Sequence, residues 1–194
     1  IPIHLGSLKG GVDAVLRDFD LDDIEEGDAF ICNDAYLAGG THLPDISIIT
    51  PVFYSNGLRC FVACVGHHAD VGGSVPGSIS PSATSIFEEG IRIPPIKIMR
   101  RGILQEDIIR LVINNTREPE DRSLDLKVQV ATNDFGVIQT KKLIEKMGLE
   151  AMEIAVEDLL IYTSRRLKKH LLALRKGSSS FTTWMDDDGL EGQT

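Results

Sequence analysis

At 194 residues the chain is long enough for one domain with a sizeable core, or for one domain and part of another. Hydrophobic residues at 42% and charged residues at 25% are ordinary globular usage, away from disordered or membrane-embedded composition, and no apolar run approaches the roughly 20 residues of a spanning helix. With 29 acidic against 20 basic side chains, the formal charge of −9 disfavours a general grip on nucleic-acid phosphates. The expected setting is cytoplasmic.

In chain order, residues 1–6 read as an apolar segment in mid-course, without a targeting signal. Val12, Val15, Leu16 and Phe19 recur at helical spacing, which predicts a helix over 7–19 with Ser7 as its N-cap. An acidic loop at 22–28 leads into strands expected at 29–32, 46–53 and 59–65, rich in Ile, Val and Phe. Asn56-Gly57 predicts a hairpin turn joining the last two. Cys32, Cys60 and Cys64 lie in apolar strand words and read as buried free thiols in a reducing compartment.

The Gly, Ser and Pro-rich stretch 72–85 is expected to be an ordered loop, with Ser82 or Thr84 capping a short helix through 87–90. Pro94-Pro95 then enforces an extended course into 96–99. Ile108, Ile109, Val112 and Ile113 mark a helical face, and Pro119 the next helix start. Leu124, Val128, Ala131, Phe135 and Ile138 form a seam of alternating fours and threes. Gly148 breaks it, and a second long helix at 150–174 is closed by Gly177. Residues 181–189 read as a strand entering an acidic turn. The expected fold is α+β: a mixed or antiparallel sheet with a strand hairpin at the metal site, followed by a long antiparallel helical hairpin. Domain one covers 1–176, and 177–194 begins a β-rich domain.

The chemistry concentrates in 33–73. His42 and Asp45 stand three apart around a stiff Leu43-Pro44 turn, and His67-His68 arrives at the end of the next hairpin strand. A transition ion takes imidazole and carboxylate ligands converging from different directions, and this set can supply three. Adjacent strand residues face opposite ways, so only one of His67 and His68 can join His42. A structural, hydrogen-bonded role for the same histidines stands beside the metal reading. Asp34 could ligate, though Asn33-Asp34 also suits an Asx turn. Asp70 could orient His68 by hydrogen bonding. Gly39-Gly40 and Gly72-Gly73 either admit a ligand to the backbone or serve plain turns. His4 and His170 stand alone and read as structural or exposed. No Gly-rich phosphate loop of the GxxxxGK or GxGxxG type and no GxSxG elbow is present.

The words Asn33-Asp34-x-Tyr36-x-x-Gly39-Gly40-Thr41-His42-Leu43-Pro44-Asp45, His67-His68-Ala69-Asp70-Val71-Gly72-Gly73, Pro76-Gly77-Ser78 and Glu88-Glu89-Gly90 resemble the hydantoinase B/oxoprolinase family. That family also includes acetone carboxylase alpha subunits. The resemblance runs from Ile1 to about Gly189, with departures at Ala35 and at Val65-Gly66. It implies a metal-binding subunit in a hetero-oligomer with a hydantoinase A-type ATP-binding subunit or domain, acting on a small-molecule substrate. ATP enters through that partner, and the divalent metal is manganese or zinc. Carried over by motif, the ligands are His42, Asp45 and His67, with Asp34 a weaker claimant and His68 and Asp70 supporting catalysis from behind the ligands. The resemblance also implies a further carboxylate from upstream of Ile1 and a continuation past Thr194, so the chain reads as a fragment that is inactive alone.

The activity so implied is ATP-dependent hydrolysis of a cyclic amide: a hydantoin, 5-oxoproline or another lactam. An acetone or acetophenone carboxylase-type subunit and a non-catalytic assembly scaffold are the rival readings.

Overall fold

A computed structural model describes residues 2–174 and 177–183, and the chain divides into two compact units, Ile1–Lys141 and Lys142–Thr194. The first is built on an antiparallel sheet of β1 (Ala29–Cys32), β2 (Asp45–Tyr54), β3 (Gly57–His67), β4 (Ile96–Arg100) and β5 (Ile103–Leu104), in the order β3-β2-β1-β4-β5. Helices cover both faces, so β1 and most of β2 are buried without a polar alternation. Phe30, Cys32 and Ile49 pack with Ala14 and Val15 of α1 (Pro2–Asp18). Ala29, Ile31, Ile46 and Ile48 turn the other way, toward Ile109 and Val112 of α2 (Glu106–Ile113) and Leu126 and Val130 of α3 (Pro119–Met147). The expected α+β class and strand hairpin are therefore present.

The hairpin closes through Ser55 and Asn56, both at positive φ (49° and 60°), between the paired residues Tyr54 and Gly57. Two left-handed residues give the tight turn whose twist matches the strands. Gly57 is thus the first residue of β3 rather than part of the turn's centre. Because each neighbouring pair is antiparallel, the end of β1, the start of β2, the end of β3 and the start of β4 share one end of the sheet.

Three expectations change. Helix α1 begins at Pro2, and Ser7 lies inside it, its hydroxyl donating to the His4 carbonyl at 2.9 Å instead of capping. The short helix is a 3₁₀ turn, Ile86–Glu88, capped by Ser85 and not by Ser82 or Thr84. The α3 seam of Leu124, Val128, Ala131, Phe135 and Ile138 is exposed, and Leu126, Gln129, Val130 and Asn133 face the sheet. Two amides are buried there because they have partners on the strands. Gln129 Nε2 donates to the Ile46 carbonyl at 2.9 Å, and Asn133 Nδ2 to the Ile48 and Val62 carbonyls at 2.9 and 3.2 Å.

Gly148, at φ 86°, separates α3 from α4 (Leu149–Ala173), so both long helices occur where they were expected. Helix α4 carries no buried residue, and residues 177–183 form neither helix nor strand. Of the strand and acidic turn expected over 181–189, residues 181–183 are not strand and 184–189 lie outside the described residues. Among those described, no helix is long and apolar enough to cross a membrane.

Gly136 shows how closely α3 lies on the hairpin: a Cβ there would stand 2.7 Å from Val62 Cγ1. Gly136→Ala is therefore expected to destabilise the chain by about 1–3 kcal/mol through overpacking, against the gain of roughly 1 kcal/mol that alanine brings to an open helix. The urea unfolding midpoint measures this.

Candidate metal centre

Asp45 opens β2 and His67 closes β3, and the ladder pairs them directly. The Leu43-Pro44 turn brings His42 back over the same strand end, where the His68 N–H donates to the Pro44 carbonyl at 2.8 Å and ties the two segments together. His42 Nε2 and His67 Nδ1 each lie 3.1 Å from Asp45 Oδ1. Their rings stack with centroids 5.1 Å apart. One ligand atom from each of the three falls within 4.8 Å of the others. Ligands about 2.1 Å from a shared tetrahedral ion stand roughly 3.4 Å apart, so the set fits an ion with little rearrangement. Asp45 is 5% exposed, whereas His42 and His67 are 37% and 52% exposed, which leaves one side of the cluster open.

The second Asp45 oxygen is also engaged. Oδ2 accepts from the Thr41 hydroxyl and lies 3.2 Å from His4 Nε2. Burial alone would raise the Asp45 carboxyl, but the Thr41 hydrogen bond and the two imidazoles outweigh it, holding its pKa below the usual value. The group is a carboxylate at neutral pH. His4, expected to be structural or exposed, reaches this carboxylate because α1 starts at the same end of the sheet. Nothing in its local sequence signals that contact.

His68 turns away from His67, as the strand period requires, and is 3% exposed. Its Nε2 lies 2.8 Å from Gln129 Oε1, and since Gln129 Nε2 is donating to Ile46, the His68 Nε2–H is the donor. Burial lowers the His68 pKa and keeps the ring neutral. Asp70 does not orient it. Its carboxylate instead accepts from the N–H groups of Gly72 and Gly77 and from the Arg117 guanidinium at 2.8 Å, a set of donors that closes the 70–78 loop upon itself. Asp34 is likewise outside the cluster. It makes the Asx turn, accepting from Tyr36 and Leu37 N–H groups at 2.9 Å, and pairs with Arg92 at 2.7 Å. Asn33 clamps the two strand-end loops, its amide donating to the Leu43 and Ile91 carbonyls and accepting from Ile93 N–H. The glycines serve backbone packing: at Gly73, φ 83°, a Cβ would meet the Glu88 carbonyl at 2.5 Å.

For Asp34 and Asp70, burial pushes the carboxyl up, but backbone N–H groups and the arginines overcome it and hold both below the usual value. Their stabilisation is therefore complete above about pH 4, the ordinary aspartate value, and is lost as pH falls through the lower folded values. Urea unfolding is expected to show stability dropping as pH falls below about 4. Asp70→Asn should flatten that slope while costing about 1–3 kcal/mol at neutral pH.

The family model for hydantoinase B/oxoprolinase matches residues 1–193. Caprolactamase subunit beta of Pseudomonas jessenii is 35% identical over 190 residues, covering 97% of this chain and 32% of that protein. 5-Oxoprolinase 1 of Arabidopsis thaliana is 36% identical over 194 residues, covering 94% of this chain and 15% of that protein. The crystal structure of ATP-dependent caprolactamase from P. jessenii superposes with a TM-score of 0.80 at 34% identity, covering 91% of this chain and 30% of that one. Nucleotide-free acetone carboxylase, at 22% identity and TM-score 0.68, shares the fold over 77% of this chain and 20% of its own. The chain thus spans less than a third of the length of each of these relatives. On the match along nearly its whole length, the chain belongs to the hydantoinase B/oxoprolinase family.

Proposed function

We propose that this chain is the metal-binding part of an ATP-dependent enzyme that opens a cyclic amide such as a hydantoin, 5-oxoproline or another lactam. The observation that carries the reading is the meeting of His42, Asp45 and His67 at one end of the sheet, open on one side. Family membership and the similarity to a caprolactamase beta subunit support the reaction class and a second subunit. ATP enters through a partner of the hydantoinase A type, in a cytoplasmic hetero-oligomer.

His42, Asp45 and His67 hold the ion, and two imidazoles with one carboxylate suit zinc or manganese. The bound ion supplies a Lewis acid that polarises a substrate oxygen or activates water. Asp45 contributes the negative charge, and Thr41 and His4 hold its far oxygen so that Oδ1 faces the imidazoles. The exposed sides of His42 and His67 leave room for substrate.

Metal titration with elemental analysis of the full-length protein is expected to find one divalent ion at this site. Asp45→Ala should weaken its affinity by about 100-fold or more, since even supporting residues typically contribute 10- to 100-fold. No bound ion, and no effect of replacing Asp45 or His67, would favour the scaffold reading. In the complex with its ATP-binding partner, His42→Ala should abolish ATP-dependent ring opening. Unchanged turnover in that variant sinks the hydrolase proposal, and bicarbonate-dependent loss of a ketone in its place would mark a carboxylase.

A further inference from the structure

Helix α4 runs 25 residues, about 37 Å at 1.5 Å per residue, and buries none of them, yet one of its faces is apolar. Met152, Val156, Leu160, Thr163, Leu167 and Leu171 follow one another at steps of four, four, three, four and four, so the pattern repeats every eleven residues. Eleven residues are close to three helical turns, which keeps these side chains in one stripe along the helix. Val156, Leu160, Leu167 and Leu171 are between 50% and 66% exposed. Helices draw most of their stability from packing an amphipathic face, so the stripe calls for a second apolar surface of similar length.

Two features of α4 point to what that surface is. The order of the steps reads the same from either end, about a midpoint between Ile161 and Tyr162. A second α4 laid antiparallel therefore sets Leu160 opposite Thr163, Val156 opposite Leu167 and Met152 opposite Leu171, each contact made twice. Charge follows the same symmetry with its sign reversed. Residues 149–163 hold Glu150, Glu153, Glu157 and Asp158 and no base, whereas 164–173 hold Arg165, Arg166, Lys168 and Lys169 and no acid. This polarity suits the helix's own dipole, and a copy laid parallel would set like charges side by side. Laid antiparallel, each acidic half lies along a basic half. Glu157 and Lys168, eleven residues apart, share one flank of the stripe, and a two-fold axis brings each beside the other in the second copy.

We infer that this stripe is a self-association surface, on which α4 pairs antiparallel with α4 of a second copy of the chain across a two-fold axis between Ile161 and Tyr162. The pairing is independent of the metal centre and of the reaction performed there.

Sedimentation equilibrium of the full-length protein, without its ATP-binding partner, tests this pairing. The wild type should have the mass of two chains. Leu160→Glu places a charge at the centre of the stripe twice over and should raise the dimer Kd by about 100-fold or more, with far-UV circular dichroism and metal content unchanged. Leu172→Glu, at an equally exposed leucine off the stripe, should leave the dimer intact. Glu157→Lys and Lys168→Glu should each weaken it by about 10-fold, and the double reversal should restore it. A monomeric wild type, a dimer unaltered by Leu160→Glu, or equal dissociation by Leu172→Glu overturns the surface, and the stripe is then covered by another part of the longer polypeptide or by the partner subunit. Charge reversals without effect, or without mutual rescue, overturn the antiparallel pairing.

Discussion

Asp45 is a buried carboxylate that stays charged, and the geometry around it follows from that constraint. A carboxylate removed from water must find donors for both oxygens or take up a proton. Here one oxygen meets two imidazoles, and the other meets a threonine hydroxyl and a third imidazole. Four segments of chain contribute: the first turn of α1, the loop before β2, the start of β2 and the end of β3. None of them could shift by a residue without exposing or stranding the charge.

The loops that carry these groups are held by polar contacts, since little apolar surface is available at a strand end. Asn33 uses its amide in three directions to tie the 34–43 loop to residues 91–93, and the Asp34–Arg92 and Asp70–Arg117 pairs brace the flanking turns. Gln129 does the equivalent work beneath the hairpin, joining His68 to the Ile46 carbonyl and so coupling α3 to the end of β3. A hydrogen-bonded frame of this kind holds its shape while leaving the exposed edges of His42 and His67 free.

Much of this was legible in the chain itself. Strand words, the turn at 54–57 and the break at Gly148 follow from local rules of side-chain alternation and turn chemistry, and two motifs joined by one hairpin bring His42 and Asp45 to one of His67 and His68, while the choice of His67 came from the family resemblance. The errors have a common cause. Reading Leu124, Val128 and Phe135 as the packed face of α3 assumed that apolar residues are buried first, whereas the strands presented carbonyl groups that Gln129 and Asn133 could satisfy. Pairing Asp70 with His68 assumed that neighbours in sequence bond to one another, although Arg117 and the N–H groups of Gly72 and Gly77 were better placed.

What the sequence determined by itself is the segment in which the histidines and acids gather, because two motifs joined by one hairpin must end at the same edge of the sheet, whereas the pairing of Asp45 with His67 was set by the Ser55-Asn56 turn and the register shift at Val52 and Phe53. What only the tertiary structure decided is which distant groups come to this strand end: His4 from α1 to Asp45, and Gln129 from α3 to His68. Those contacts depend on how helices and loops pack against a sheet, and packing is set by the summed burial of many side chains, which no short stretch of sequence encodes.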